Sequence, residues 1–225
     1  MSAVSAIAAA HIEKAAPVSA PVLVLSNGIT PADWKVEPEP RTDGIVRLAS
    51  VMRIAPRKRV IPLLRMLQSA QRMVASGARL ELTIIGDGPE RARAERFARR
   101  NDLAVRFVGR LDRAGILEVF GRTDIYVQPS IKESFGLAAL EARCAGLPLV
   151  IHSESGTTQF VTDGVEGLVG ADDWAMAGAI AQLAYDRELR GRISQHNRTH
   201  EPAESWPNVL REVIHGYEVA SSARG

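Results

Sequence analysis

The sequence is poor in cysteine, in long apolar runs and in charge of one sign. A single cysteine, Cys144, excludes an internal disulfide framework and fits a reducing compartment. No stretch approaches the roughly 18 consecutive apolar residues that a membrane-spanning helix needs. The 28 basic and 26 acidic side chains leave a formal net charge of only +2, so no nucleic-acid partner is expected.

The N-terminus also lacks the basic segment that opens a secretory signal peptide. Its apolar run is broken at residues 11–14, where the sequence reads HIEK. We therefore expect the chain in the cytoplasm.

What the sequence does contain is the alternation of apolar and amphipathic runs typical of an α/β protein. With 225 residues, 46% of them hydrophobic and 24% charged, the chain can bury one ample core. Strands are predicted at residues 21–26, 44–51, 79–86, 104–109, 124–130 and 147–152. Helices are predicted at residues 58–76, 89–100, 112–121, 136–146, 172–186, 187–198 and 204–220. This order indicates a Rossmann-like parallel sheet of about six strands with helices on both faces.

Polar stretches follow four of these strands, and they read RIAPRK, GDGPE, GRLD and IKESFG. Ligands of parallel α/β sheets bind beyond the carboxyl ends of the strands, so the four stretches are predicted to meet around one ligand. Their glycines and basic residues favour a nucleotide and a phosphate group.

The stretch KESFG places Gly136 at the start of a helix, where backbone N–H groups attract anions. Glu133 precedes this helix, and Glu141 lies about a turn and a half inside it. Carboxylates repel phosphate but accept hydrogen bonds from sugar hydroxyls, so a ligand that carries both groups is predicted. The alternative is that both glutamates are exposed acids favoured by the helix dipole.

The stretch MRIAPRKR supplies the cations. Arg53 ends a strand and Lys58 follows five residues later, so a guanidinium and an ammonium group could reach one diphosphate. Taken alone, residues 57–59 are better interpreted as a solvated helix start. Their place at the same sheet edge as KESFG favours the binding interpretation.

A dinucleotide fingerprint is absent from the sequence. The stretch GDGPERARAERF lacks the third glycine of that motif, which argues against an NAD-dependent dehydrogenase. The arginines that follow are predicted to form the solvated face of a helix, at positions 91, 93, 96, 99 and 100.

Several motifs together resemble a known family. SNGIT, VMRIAPRK, LTIIGDGPE, VRFVGRLD, DIYVQPSIKESFGLAALEARCAGLPLV and GTTQFVTDGVEGLV occur in the order found in family-4-type retaining glycosyltransferases of the GT-B fold. The resemblance is to their C-terminal, nucleotide-sugar-binding domain and covers roughly residues 20–220. Its most specific part is the segment with Glu133 and Glu141. The chain is thus expected to form one half of a GT-B enzyme.

This resemblance implies a site for the diphosphate of the sugar donor. Arg53 and Lys58 match the basic pair that holds the diphosphate. The resemblance also implies that no metal ion is required, and it implies no cofactor, since the nucleoside diphosphate sugar is itself a substrate. The loop whose backbone receives a phosphate matches Ser134, Phe135, Gly136 and Leu137.

The resemblance also implies contacts to the rest of the donor. Glu133 matches the glutamate that approaches the transferred sugar, and it is the predicted catalytic residue. Glu141 matches the glutamate that hydrogen-bonds the nucleotide ribose. Gly86 and Arg110 lie where the family places the nucleotide.

The sequence departs from the family pattern beside these residues. Met52 replaces the glycine before the arginine, and Arg59 replaces the glycine after the lysine. Gln159 stands in the glutamate position of a Gly-x-Pro-Glu stretch. These departures leave the diphosphate site intact, and the nucleotide, the sugar and the acceptor stay open.

A complete GT-B enzyme has two domains, and the motifs match only the second. The predicted division is a remnant or linker from the missing N-terminal domain at 1–20, the donor-binding domain at 21–200, and a crossover helix with a tail at 201–225. An apolar stripe on that helix is expected to pack either on its own sheet or on the missing domain. Its members are Trp206, Val209, Leu210, Val213, Ile214 and Tyr217.

Two functions follow from these expectations. The chain is either the donor-binding half of a retaining glycosyltransferase, as a fragment or as a subunit whose other half is supplied separately, or a stand-alone nucleotide-sugar-binding or regulatory module. In the first case it transfers sugar only when the N-terminal domain is present. Peripheral association of the whole enzyme with a membrane is left open.

Overall fold

The computed structural model of the chain describes residues 2–15, 22–39, 43–74 and 77–222. A small unit comes first and consists of β1 (Ser2–Ala3), α1 (Ala6–Ala15) and β2 (Leu23–Val24). Its two strands form a parallel sheet of their own. The strand predicted at 21–26 therefore does not belong to the main sheet, because its backbone pairs with residues 2–3 instead.

The main sheet has six parallel strands. They are β3 (Ile45–Val51), β4 (Arg79–Ile85), β5 (Val105–Gly109), β6 (Ile125–Gln128), β7 (Leu149–His152) and β8 (Gly167–Gly170). β6 and β7 are buried along their whole length, as expected of strands covered on both faces. The sixth strand, β8, was not predicted, because its sequence GLVG is short and begins and ends in glycine.

Helices cover both faces of this sheet. They are α2 (Val60–Met73), α3 (Arg91–Arg100), α4 (Arg113–Gly121), α5 (Leu137–Cys144), α6 (Asp173–Tyr185), α7 (Arg187–Thr199) and α8 (Trp206–Ser222). Apolar side chains of α2, α3 and α6 form one core with the sheet, and those of α4 and α5 form a second. The predicted fold class is confirmed. Among the described residues, no helix combines the length and the hydropathy needed to cross a bilayer.

The strand order of the sheet is β5-β4-β3-β6-β7-β8, so the direction of winding reverses between β3 and β6. The two strands lie side by side, with Leu48 opposite Ile125, and the Ser50 hydroxyl donates a hydrogen bond of 2.7 Å to the Val127 carbonyl. In doubly wound sheets, ligands bind in the crevice at such a reversal. The carboxyl ends of β3 and β6 are therefore where the fold favours a ligand.

The C-terminal helix α8 begins against the segment SNGIT. A Cβ atom added to Gly28 would lie 2.3 Å from the Trp206 ring, so glycine lets the indole pack on the backbone. Val209 is buried, whereas Trp206, Leu210 and Ile214 are about half exposed and share one helix face. The predicted stripe is thus divided between the domain's own core and the surface; the side chain of Tyr217 lies outside the described residues.

Candidate donor-binding site

A cavity of about 390 Å³ opens at the ends of β3 and β6. The predicted residues on its wall are Arg53, Lys58, Glu133, Ser134, Phe135, Gly136 and Leu137. Gly86, Arg110 and Glu141 do not line this cavity. A second cavity of about 700 Å³ shares Glu133 and Ser134 with the first and is bounded on its other side by α1.

The Lys58 ammonium group forms an ion pair with Glu133 Oε2. Both side chains are mostly buried, with exposed fractions of 19% and 16%. Arg53 is exposed and has no ion pair among the described residues. The cavity therefore holds one cation that is already paired and one that is free to receive an anion.

Gln128 extends the contacts of Glu133 into the core. Its side-chain amide donates a hydrogen bond of 3.0 Å to Glu133 Oε2, and its carbonyl oxygen accepts one of 3.2 Å from the Tyr126 hydroxyl. Neither Gln128 nor Tyr126 was among the predicted site residues. The signal in the sequence is a glutamine at the end of the buried strand IYVQ, since a buried amide must find partners.

Arg59 lies beside this cluster with a left-handed backbone, at φ 60°. That conformation favours glycine, so the arginine carries a strain of about 1 kcal/mol. Its guanidinium donates to both carboxylate oxygens of Asp173, at 2.8 and 3.0 Å, and to the Pro129 carbonyl at 3.0 Å. The interpretation of residues 57–59 as a solvated run holds for Arg57, which is exposed, but not for Lys58 or Arg59.

The loop before α5 is closely packed against the segment GTTQ. Gly136 has φ 93°, and a Cβ atom there would lie 2.2 Å from Thr157 Cγ2. A Cβ atom on Gly156 would lie 2.3 Å from the Ser134 carbonyl oxygen. The Gly156 N–H donates a hydrogen bond of 2.8 Å to the Glu133 carbonyl. The two glycines therefore fix the backbone that carries Glu133.

The GDG loop packs against the loop that carries Arg53. Cβ atoms on Gly86 and Gly88 would lie 1.9 Å from the Met52 carbonyl oxygen and 2.3 Å from that of Ile54. The Ile54 N–H donates a hydrogen bond of 2.9 Å to the Asp87 carbonyl. These glycines permit close contact between two loops. Arg110, which follows β5, is exposed.

Glu141 differs from Glu133 in its surroundings. It is half-buried on α5, and no described residue forms a hydrogen bond or ion pair with its carboxylate. Burial raises the pKa of Glu141 to about 7, and the nearby charge of Arg113 opposes the rise. The interpretation of both glutamates as exposed helix-start acids is therefore wrong, since Glu133 is mostly buried as well.

The described residues contain no group of three or more histidine, cysteine, aspartate or glutamate side chains placed to hold a metal ion.

Many solved structures share this fold, and two of them illustrate the likeness. The chain superposes on Anabaena HepE, solved in complex with UDP and glucose, with a TM-score of 0.80 at 18% identity, covering 98% of this chain and 62% of that one. It superposes on the lipopolysaccharide outer core galactosyltransferase WaaB with a TM-score of 0.78 at 18% identity, covering 97% and 61%. At such identities the likeness establishes the fold alone.

Sequence relatives are closer. The D-inositol 3-phosphate glycosyltransferase of Kribbella flavida is 35% identical over 196 residues, which cover 80% of this chain and 45% of that protein. The glycogen synthase of Mycobacterium tuberculosis is 34% identical over 194 residues, covering 81% and 45%. The chain thus spans about half the length of these relatives. Residues 35–200 match the model of the glycosyl transferases group 1, and with most of its length inside that match the chain belongs to this family.

Proposed function

We propose that the chain is the donor-binding half of a retaining glycosyltransferase, which binds a nucleoside diphosphate sugar without a metal ion. The observation that carries this proposal is the cavity at the β3–β6 reversal, where Arg53, Lys58 and Glu133 meet the start of α5. A guanidinium, an ammonium group and a helix N-terminus together neutralise a diphosphate. The complex of HepE with UDP and glucose makes UDP-glucose the first donor to test.

The reaction breaks the bond between C1 of the sugar and the β-phosphate oxygen and forms a bond from an acceptor hydroxyl oxygen to C1. The electron pair of the broken bond stays on the diphosphate, and the hydroxyl proton passes to a phosphate oxygen. Arg53 and Lys58 are placed to stabilise the charge that develops on this leaving group. Retention means that the new bond occupies the same face of the sugar as the old one.

In the site, the Glu133 carboxylate competes with the donor diphosphate for the Lys58 ammonium group. A diphosphate that takes Lys58 releases Glu133 from its cation, and the carboxylate then faces the sugar as a hydrogen-bond acceptor. Glu141, on α5, is assigned to the ribose hydroxyls, and Gly86 and Arg110 to the outer nucleotide region.

A separate N-terminal domain is the proposed partner, because the chain spans 45% of the Kribbella relative. The proposed division into 1–20, 21–200 and 201–225 assigns α8 as the helix that crosses to that domain. Trp206, Leu210 and Ile214 supply an apolar face for the contact. A cleft closed by both domains would exclude water from the reacting sugar.

The second candidate function is a stand-alone nucleotide-sugar-binding or regulatory module without transfer activity. The same cavity supports this function, because donor binding requires only the residues around the cavity and no second domain. Adding a matching N-terminal domain distinguishes the two, since transfer then appears only in the first case.

The test is a calorimetric titration of the chain with a panel of nucleoside diphosphate sugars, with a chelator and then with magnesium. We expect one donor to bind with the same affinity in both conditions. Binding that disappears with chelator and returns with magnesium would contradict metal independence. No binding across the panel would contradict the proposed function.

A further inference from the structure

Buried polar side chains connect the end of β3 to Glu133. Tyr126 is fully buried and Gln128 is 3% exposed. The Val51 N–H donates a hydrogen bond of 3.4 Å to the Tyr126 hydroxyl, and this hydroxyl donates one of 3.2 Å to Gln128 Oε1. Gln128 Nε2 in turn donates a hydrogen bond of 3.0 Å to Glu133 Oε2. Every link ends on a partner, which is the condition under which buried polar groups are tolerated.

The direction of these bonds is set from both ends, by the Tyr126 hydroxyl and by the Glu133 carboxylate. Burial raises the pKa of its hydroxyl far above the ordinary range, so the group keeps its proton and remains a donor. The ion-paired carboxylate of Glu133 only accepts, so the Gln128 amide turns its nitrogen toward Glu133 and its oxygen toward the Tyr126 hydroxyl, which at 3.2 Å is nearer to that oxygen than to the Val51 carbonyl at 3.4 Å. Gln128 is thereby oriented to donate to the carboxylate.

Lys58 and Gln128 bind the same oxygen, Oε2 of Glu133. Both side chains line the cavity, but they differ in exposure, since 19% of the Lys58 side chain is exposed whereas Gln128 is almost completely buried. An incoming diphosphate can attract the lysine but cannot replace the glutamine.

We propose that Gln128, oriented by Tyr126, is a positioning residue that holds the Glu133 carboxylate in place when the donor diphosphate takes Lys58. This inference rests on the proposed function. Without Gln128, the exchange would leave the mostly buried carboxylate with none of the protein partners that it has in this structure, and only the sugar would remain to orient it, so the cost would appear as weaker donor binding.

The test is a double-mutant cycle with Gln128→Met and Glu133→Ala, titrated with the donor that binds the wild-type chain. Methionine keeps the length of glutamine but cannot hydrogen-bond. We expect Gln128→Met to weaken donor binding about tenfold in the wild-type background and less than twofold when Glu133 is already alanine. A purely structural role would give the same loss in both backgrounds, and that result would overturn the inference.

Two further variants complete the test. Tyr126→Phe removes the orienting hydroxyl while keeping the ring. It should weaken donor binding about threefold in the wild-type background and much less when Glu133 is already alanine. This variant replaces Gln128→Met in the cycle if Gln128→Met does not fold. Gln68→Met is the matched control, because the Gln68 amide donates to Asn101, away from the cavity. We expect it to leave affinity unchanged.

The outcomes separate this inference from the function on which it rests. A wild-type chain that binds no nucleoside diphosphate sugar overturns both. A wild-type chain that binds, with unchanged affinity in Gln128→Met and Tyr126→Phe, overturns the role of Gln128 alone.

Discussion

The loops that follow β3 and β6 lie along the same edge of the sheet as the loops that follow β4 and β5. The first two contribute side chains to a cavity, whereas the loop after β4 packs on its neighbour through its backbone. After β3 and β6, side chains point into a shared cavity, and the ion pair of Lys58 with Glu133 joins the two loops. After β4, close backbone packing dominates, as Gly86 against the Met52 carbonyl shows.

The difference follows from the strand order. β3 and β6 flank the reversal of winding, so their loops border the crevice into which the cavity opens. The loop after β4 lies next to the Arg53 loop and supports it through the bond from Ile54 to Asp87. A glycine-rich stretch at the ligand edge of a sheet can therefore act by supporting a neighbouring loop.

The largest expected effect is on stability, from Gly86→Ala. The new Cβ atom would lie 1.9 Å from the Met52 carbonyl oxygen at φ 124°, so we expect a loss of about 3 kcal/mol or more in the free energy of unfolding. Gly77→Ala is the matched control: φ is 136°, but no atom lies within 4 Å, so only strain of about 1 kcal/mol is expected. Denaturant unfolding measures both, and equal losses would show that the loop contact is unimportant.

An intermediate effect is expected at Glu141, whose carboxylate lies on α5, the helix that follows Glu133, but lacks the partners of Glu133. Its pKa of about 7 lies above the ordinary value, so the folded state holds the proton more tightly than the unfolded state. Stability from this group is present at pH 4 and is lost as the pH rises through 7. Because Glu141 is partly exposed, we expect a loss on the order of 1 kcal/mol.

Glu141→Gln should remove that dependence. Relative to the wild-type chain, the variant should have a melting temperature higher by about 2–4 °C at pH 8 and unchanged at pH 4. Thermal unfolding of both proteins at the two pH values checks this. A difference of the same size at both would show that burial of the charge is not its cause.

The smallest expected effect is at Arg110, after β5. This side chain is exposed and lies off the cavity wall, so a contact to the outer nucleotide is screened by water. We expect Arg110→Ala to weaken binding of a nucleoside diphosphate about two- to fivefold. Titration against the wild-type chain measures it, and a loss as large as that at Lys58 would show that both pairs of loops bind the diphosphate.

The sequence predicted the main elements of the fold and the residues around the cavity for physical reasons. Apolar strands alternate with amphipathic helices, and Gly136 marks the start of α5 by a backbone conformation that only glycine adopts easily. β8 and the small N-terminal sheet were not predicted as they are, because short strands depend on their pairing partners more than on composition.

The side-chain contacts within the candidate site were harder to predict than the positions of its residues along the chain. Nothing in the local sequence shows that Lys58 pairs with Glu133, 75 residues away, or that Gln128 donates to the same oxygen. These contacts arise from strand order, which places β3 beside β6. The family motifs predicted residues that line one cavity, and the tertiary structure shows that Lys58 and Gln128 contact the same oxygen of Glu133.

The most direct test of the cavity as the donor site is the affinity of a nucleoside diphosphate for the wild-type chain, Lys58→Ala and Arg99→Ala. Lys58 lies on the cavity wall, whereas Arg99 is exposed on α3. Losing a charge-assisted contact should cost on the order of 1.5–3 kcal/mol at Lys58, even though the lysine must first leave Glu133, and almost nothing at Arg99. Equal losses at the two positions, or no loss at Lys58, would contradict the account.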